Sequence, residues 1–409
     1  MLDHNDHRSI GNRLDLFHLQ EEAPGAVFWH PRGWALFRSV EDHIRANVLR
    51  AGYQEVRSPQ LLSQPIWEAS GHWGSFQKDM FILHDDDENL AIKPVSCPGA
   101  IQIYAHALRS YRDLPMRLAE FGHCHRHEAR GALMGLMRLR AFVQDDGHIF
   151  CEPQHVEQEV RSFCALLGVV YRSFGLPEPQ VFFSSRPEVR GGSEEDWDRA
   201  EALLHDAAAQ AGLSPEEQAG QGAFYGPKLE WHLKDARGRS WQCGTLQLDL
   251  VMPKRFGISY VDAKGQRAAP VMLHRALLGS LERFVAILLE HHRGRLPLWL
   301  SPEQVALLPV GGAGHAHARR IHASLVGSGV RCHLDAREES LSRRIRDAHQ
   351  RGASQIWIAG EREAQCGGVS VREHREQRVL PVDEALHALQ PRLRPPEEQP
   401  VVLPPVPRC

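Results

Sequence analysis

Phe121-Gly122-His123-Cys124-His125-Arg126-His127-Glu128 closes a run, Met116–His125, that reads as a β-strand. The chain then crosses a glycine-containing loop, Ala129–Gly135, into a second strand predicted over Arg138–Phe150. Residues two apart on an extended backbone share a face, so Arg126 and Glu128 point the same way. A guanidinium there can neutralise a phosphate, and the carboxylate beside it can accept from an exocyclic amine. Taken alone the pair says little, because Arg and Glu at this spacing usually form a solvated face. What gives it weight lies on either side.

Upstream, Leu36, Phe37, Val40, Ile44, Val48 and Leu49 recur at helical spacing within Gly33–Leu49; Gly52 stops that helix, and Gln54–Arg57 reads as a short strand ending before Pro59. Downstream, helices are predicted near 157–174 and 194–212, strands at 229–234 and 240–251, and a long helix over His274–His292. Within that last stretch, Gly279-Ser280-Leu281-Glu282-Arg283 combines small residues that permit close approach with an arginine able to clamp phosphate. The composition changes at Pro297–Pro302, which reads as a linker. Beyond it, strand (305–309), helix (313–328), strand (330–335), helix (340–351) and strand (355–359) alternate, as in a small α/β domain with a parallel or mixed sheet. The expected division is a first domain over 1–296, a linker at 297–302, a second domain over 303–393 and a proline-rich, extended or disordered tail over 394–409.

The bulk numbers narrow the function. The chain has 409 residues, 42% hydrophobic and 24% charged, with a formal net charge of −3. That is enough for two ordinary domains, and it gives no global basic field of the kind that advertises nucleic-acid binding; a local basic face could still serve. Eight cysteines (97, 124, 151, 164, 243, 332, 366 and 409) lack framework spacing and read as reduced thiols in a cytoplasmic protein. Met1–Ser9 is too polar for a signal peptide, and the apolar run near Phe284–Leu289 is far too short to span a bilayer.

In order, the helix and strand before Pro59, the Arg126/Glu128 segment and the Gly279–Arg283 segment resemble the three motifs of class II aminoacyl-tRNA synthetases, which bind ATP bent between two motif arginines. Further stretches are similar to the threonyl-tRNA synthetase family. These are Asp6–Gly11, Gln20–Gly25, Gly71-His72-Trp73, Lys93–Gly99, Ser110–Pro115, Gln144–Phe150, Phe224–Lys228, Trp241–Thr245 and Val271–Ala276. The resemblance covers residues 6–390. It implies an α+β catalytic domain, an antiparallel sheet flanked by helices, followed by a small α/β anticodon-binding domain.

The resemblance also implies one zinc ion per chain, held by Cys97, His148 and His274 and completed by the amine and hydroxyl of threonine. No C-x-x-C pair betrays this set, yet its logic is sound: valine is nearly isosteric with threonine, and an apolar pocket alone separates the two weakly. On the same basis Asp146 accepts from the substrate hydroxyl, while Gln144 and Tyr225 surround the amine. Arg126 grips carboxylate and α-phosphate with Lys228 nearby, Glu128 reads adenine, Arg138 and Arg283 take the distal phosphates, and Gln242 and Gln247 the ribose. His72 stands near the terminal ribose of tRNA and assists transfer. Arg346, Glu363 and Arg372 contact the anticodon. ATP with Mg2+, L-threonine and threonine tRNA are the implied partners, and a homodimer the implied assembly.

Some positions depart from the family pattern. Ser96 and Ala100 replace an asparagine and a histidine around Cys97; Met134 replaces a histidine in the loop after motif 2; Ala141 and Gly147 replace a glycine and an alanine; Glu338 stands where an anticodon-reading asparagine is expected. The resemblance starts at the catalytic domain, so the N-terminal modules common in the family, one of which hydrolyses seryl-tRNA, are expected to be missing. A hydroxyl-ligating zinc cannot reject serine, and misacylation with serine is then expected unless it is corrected in trans. The alternatives are a paralogue that activates threonine for another acceptor or confers inhibitor resistance, and a non-catalytic tRNA-binding module that would have no need of the arginines and zinc ligands.

Overall fold

The computed structural model describes residues 3–373 and 376–396, so most of the proline-rich tail lies outside the described residues. The chain divides into two compact units. One takes Glu21–Ala26 and Ile44–Phe284; the other takes the flanking stretches, Val27–His43 and the described residues from Val285 to 396 among them.

The first unit is built on an eight-stranded sheet: β1 (Gln54–Glu55), β2 (Met116–His125), β3 (Ala141–Cys151), β4 (Gln180–Ser184), β5 (Glu216–Gln218), β6 (Lys228–Lys234), β7 (Ser240–Asp249) and β8 (Val271–Ser280). Their spatial order is β5-β4-β6-β7-β8-β3-β2-β1. Every neighbour from β4 to β2 is antiparallel, and only the two outer pairs are parallel. One face is covered by helix α1 (Val156–Ser173), whose buried Val156, Val160, Phe163, Leu167 and Val170 follow helical spacing. Phe163 packs edge-on against Trp231 of β6, with ring centroids 5.3 Å apart. Gly244 of β7 permits that approach: a Cβ there would sit 2.6 Å from Leu167 Cδ1. Helix α2 (Glu194–Gln210) begins with Ser193 accepting the Asp196 N–H at 3.2 Å, and three carboxylates in its first turn complement the helix dipole.

One expectation fails. The segment from His274 is not a long helix: Val271–Ser280 is a central strand, and the helix runs only over Leu281–His291. Residues 271–278 are buried on both faces, so no polar alternation marks the strand, and a mostly apolar run broken only by the adjacent His274 and Arg275 is ambiguous between helix and strand. Gly279, at φ +74°, makes the turn between the two elements.

The second unit carries a mixed sheet of β9 (Val305–Pro309), β10 (Cys332–Leu334), β11 (Gln355–Ala359), β12 (Gly368–Glu373) and β13 (Glu376–Pro381), in the order β10-β9-β11-β12-β13. Its first three strands are parallel and the last two antiparallel, a β12–β13 hairpin that the alternating pattern did not foreshadow. Val305 and Leu307 face a core with Ile321, Leu325 and Trp357, whereas Ala306 and Leu308 face Ala348, Ile356 and Ile358. Burial on both faces is what parallel strands require. No helix among the described residues is long and apolar enough to cross a membrane.

Candidate active site

Strand register assembles the first cluster. His148 lies directly opposite His274, His274 opposite Gln247, and Gln247 opposite Lys228, a row running across four strands. Gln144, Asp146 and His148 alternate along β3 and share one face. Cys97 opens the helix Cys97–Ala105, with Pro98 in its first turn. One donor atom each from Cys97, His148 and His274 lies within 4.8 Å of the others, and all three residues are buried. The two imidazoles meet edge to face, with centroids 5.2 Å apart.

Asp249 orients the cluster. Its Oδ2 is 2.9 Å from His274 Nε2, and its Oδ1 accepts the Val251 and Met252 N–H groups at 2.7 and 2.9 Å. Burial pushes the Cys97 thiol well up and the His148 imidazole well down, so both are neutral without a cation. One sulfur and two ring nitrogens, one of them backed by a carboxylate, fit zinc with a position left open.

A cavity of about 370 Å³ collects the remaining chemistry. It is lined by His72, Arg126, Glu128, Arg138, Gln144, Tyr225, Lys228, Gln242, Gln247 and Arg283. Tyr225 joins it to the cluster: its ring lies 4.9 Å from that of His274, and its hydroxyl donates to Gln247 Oε1 at 2.6 Å. Arg126 donates Nε to the Pro94 carbonyl at 3.2 Å and lies over the Phe142 and Phe76 rings. Arg283 donates to the Met137 and Gln242 carbonyls at 3.0 and 2.9 Å and lies over Trp241. Each guanidinium is thus held by carbonyls and aromatic faces, and among the described residues no carboxylate pairs with it. By contrast Glu128 pairs with Arg138 at 3.0 Å, and Lys228 with Glu230 at 2.8 Å.

Gln242 and Gln247, five residues apart, would face opposite sides of a regular strand. A bulge brings them together: Gly244 pairs with Trp231 and Gln242 with His232, so Cys243 is the extra residue. His72 is buried, bonded through Nδ1 to Ser70 Oγ at 2.8 Å, and burial holds its pKa down to about 3. Asp146 lies outside the cavity lining; its Oδ2 is buried with no hydrogen-bond partner among the described residues, and burial raises its pKa against the opposing influence of Ser96.

The expected anticodon residues sit in the other unit. Arg346 and Arg372 line two cavities there, whereas the Glu363 carboxylate accepts the Gly360 N–H at 3.0 Å and so caps its own helix. Four contributors were not anticipated from the sequence: Asp249, Phe142, Trp241 and Asp145. The Asp145 carboxylate accepts the Leu277, Leu278 and Gly279 N–H groups at 2.7–3.0 Å, fixing the turn that presents Arg283. Strand parity was the available signal for Asp249, two residues beyond Gln247, and for Phe142, two before Gln144. A second donor group, Asp6, His7 and Glu290, is occupied internally: Asp6 is paired with Arg8 at 2.8 Å, and His7 with Glu290 at 2.7 Å.

Residues 80–292 match the class II tRNA synthetase core domain (G, H, P, S and T), and residues 304–392 match an anticodon-binding domain. The fold and the matched domains place the chain in the class II aminoacyl-tRNA synthetase family. The chain is 50% identical over 386 residues to a threonine–tRNA ligase of Rhodospirillum rubrum, covering 94% of this chain and 60% of that protein. It is 49% identical over 391 residues to the Burkholderia cenocepacia ligase, covering 95% and 62%. A solved structure described as the RNA-binding domain of threonyl-tRNA synthetase from Cryptosporidium parvum superposes with a TM-score of 0.91 at 36% identity, over 95% of this chain and 98% of that one. The chain belongs to the threonyl-tRNA synthetase family. It spans about three-fifths of the length of the curated relatives it matches.

Proposed function

We propose that this chain activates L-threonine with ATP to threonyl-adenylate and transfers the threonyl group to threonine tRNA. One observation carries the reading: the Cys97, His148 and His274 donors converge one tyrosine ring away from a cavity that also gathers Arg126, Glu128 and Arg283. When bound there, a zinc ion supplies an open Lewis-acidic position for an amine and a neighbouring hydroxyl, a requirement that valine cannot meet.

The protein groups account for the rest. Arg126 and Arg283 spread positive charge over the phosphates of an ATP that enters with Mg2+, as the threonine carboxylate oxygen attacks the α-phosphorus and pyrophosphate leaves. Anchored on carbonyls and aromatic faces, neither guanidinium must reorganise as charge develops. Glu128, held by Arg138, faces the adenine amine, and Gln242 and Gln247 face the ribose. Asp146, buried beside the pocket, accepts from the threonine hydroxyl, and Gln144 and Tyr225 border the amine. The neutral His72 imidazole is suited to accept a hydrogen bond from the terminal ribose of tRNA during transfer. In the second unit, Arg346, Glu363 and Arg372 are the proposed anticodon contacts. Phe28 and Trp34, 39% and 43% exposed, offer apolar surface for a homodimer.

Threonine-dependent exchange of pyrophosphate into ATP tests activation, and charging of purified threonine tRNA tests transfer. Exchange with threonine but not valine is expected; no exchange with threonine overturns the reading. Exchange without charging would point to the paralogue acting on another acceptor.

A further inference from the structure

The second unit contains a strongly basic groove that nothing above assigns. Helix Leu281–His291 ends in a turn in which Arg293, at φ +51°, and Gly294, at φ +74°, both take left-handed backbone. An arginine rarely adopts that conformation, since the Cβ makes it strained. Gly294 is required there: a Cβ would meet Arg13 Nη2 and Ile10 Cγ2 at 2.9 Å. The turn sets Arg293 and Arg295 on either side of Gly294, and Arg13 donates from Nη2 to the Arg293 carbonyl at 3.5 Å. Across the groove stands the helix Leu341–Gln350 with Arg346 and His349.

The resulting cavity, about 760 Å³, is lined by four arginines and three histidines and by no carboxylate. None of Arg13, Arg293, Arg295 and Arg346 forms an ion pair among the described residues, although the whole chain carries more acidic than basic residues, 51 against 48. Elsewhere on the same unit arginines are neutralised, as Arg337 is by Asp335 and Asp347. An adjoining cavity shares Arg295 and His349 and includes Arg372. Two of the three proposed anticodon residues therefore line these adjoining cavities, the second of which also carries Glu373 and Glu376, with Glu373 paired to Arg392.

We infer that the groove between the Arg293–Arg295 turn and helix Leu341–Gln350 binds the sugar-phosphate backbone of an RNA stem, with Arg13, Arg293 and Arg295 as phosphate contacts beside the anticodon-reading residues. This rests on the tRNA-charging reading and deepens it. Clustered guanidiniums without counter-charges are the electrostatic footprint of a polyanion, and contacts to phosphate position an RNA without reading its sequence. The groove supplies affinity, while specificity stays with the bases.

The test uses the full chain carrying Arg13→Gln, Arg293→Gly and Arg295→Gln together. Glycine at 293 relieves the left-handed strain, so the turn is preserved while its guanidinium is removed. The probe is an RNA hairpin corresponding to the anticodon arm of threonine tRNA, with a scrambled-loop hairpin beside it. Each phosphate contact contributes roughly 0.7–0.9 to the slope of log affinity against log salt, so loss of three contacts should lower the slope by about two. Binding of both hairpins at about 0.15 M salt should weaken roughly 10-fold, and the KM for tRNA in charging should rise in parallel. A second variant with lysine at all three positions should recover most of the salt slope. An unchanged slope and KM in the glutamine–glycine variant would overturn the groove assignment. Pyrophosphate exchange, which needs no RNA, separates the two readings: absence of exchange in the unmodified chain sinks threonine activation, whereas hairpin binding is still measured independently.

Discussion

Asp249→Asn changes one atom in the carboxylate behind His274, and its effect can be worked out from three hydrogen bonds. Oδ1 accepts the Val251 and Met252 N–H groups, and an asparagine oxygen can retain both. Oδ2 faces His274 Nε2 at 2.9 Å. An ionised carboxylate can only accept, so Nε2 carries the proton and Nδ1 keeps its lone pair for a metal. An amide NH2 at that position can only donate. It favours the opposite tautomer, with the proton on Nδ1, and that proton must be displaced before the imidazole can ligate. Losing such an orienting partner typically costs about 10–100-fold in metal affinity, about 1.4–2.7 kcal/mol. Competition against a chromophoric chelator gives the zinc affinity, and a thermal melt of the metal-free protein serves as control. The expected result is a 10–100-fold weaker site in a variant whose metal-free melting temperature is unchanged. Zinc held as tightly by the asparagine variant as by the unmodified chain would refute the tautomer argument.

Three further outcomes follow from the geometry. Arg283→Ala should lower kcat for threonine-dependent pyrophosphate exchange about 10²–10³-fold, and Arg283→Lys should not restore it, because the forked grip on the Met137 and Gln242 carbonyls and the stacking on Trp241 need a guanidinium. Lys93→Met strands the Glu120 carboxylate, 4% exposed and paired to Lys93 at 2.7 Å; urea unfolding should show a loss of about 3–5 kcal/mol, most of it recovered when Glu120→Gln is added. Burial holds His72 near pKa 3 against about 6.5 when free, so between those values the unfolded chain binds the extra proton and stability falls as pH drops. His72→Gln should flatten unfolding free energy between pH 6.5 and 4.5 by up to about 1.4 kcal/mol per pH unit, and identical slopes in the two proteins would contradict it.

Most of the architecture is legible wherever alternation or bounding turn residues mark an element. Met116–His125 reads as a strand from its own residues, and the strands at 305–309 and 355–359 are bounded by turn residues that mark their ends. Val271–Ser280 is not legible: at the centre of the sheet it has no solvent face, and its side chains carry no period to distinguish strand from helix. The site divides along similar lines. Cys97, His148 and His274 stand in recognisable motifs, but their convergence depends on pairing between strands far apart in sequence. Asp249, Phe142 and Trp241 act by orienting or backing another side chain, a role without a sequence signature. The pairing of Gln242 with Gln247 is hidden for a different reason, since one bulged residue at Cys243 reverses the parity by which strand faces are counted.

The cross-strand pairing of His148 with His274 also bears on when the proposed zinc ion could bind during synthesis. A nascent chain that has emerged only through His148 holds one imidazole and one thiol, and the third donor arrives with the last strand inserted into the centre of the sheet. A truncated or stalled product would therefore lack the complete proposed zinc-binding set. The ion would be captured only by molecules whose central sheet has closed in the right alignment, because a slip of one residue would turn His274 to the opposite side and empty the trap.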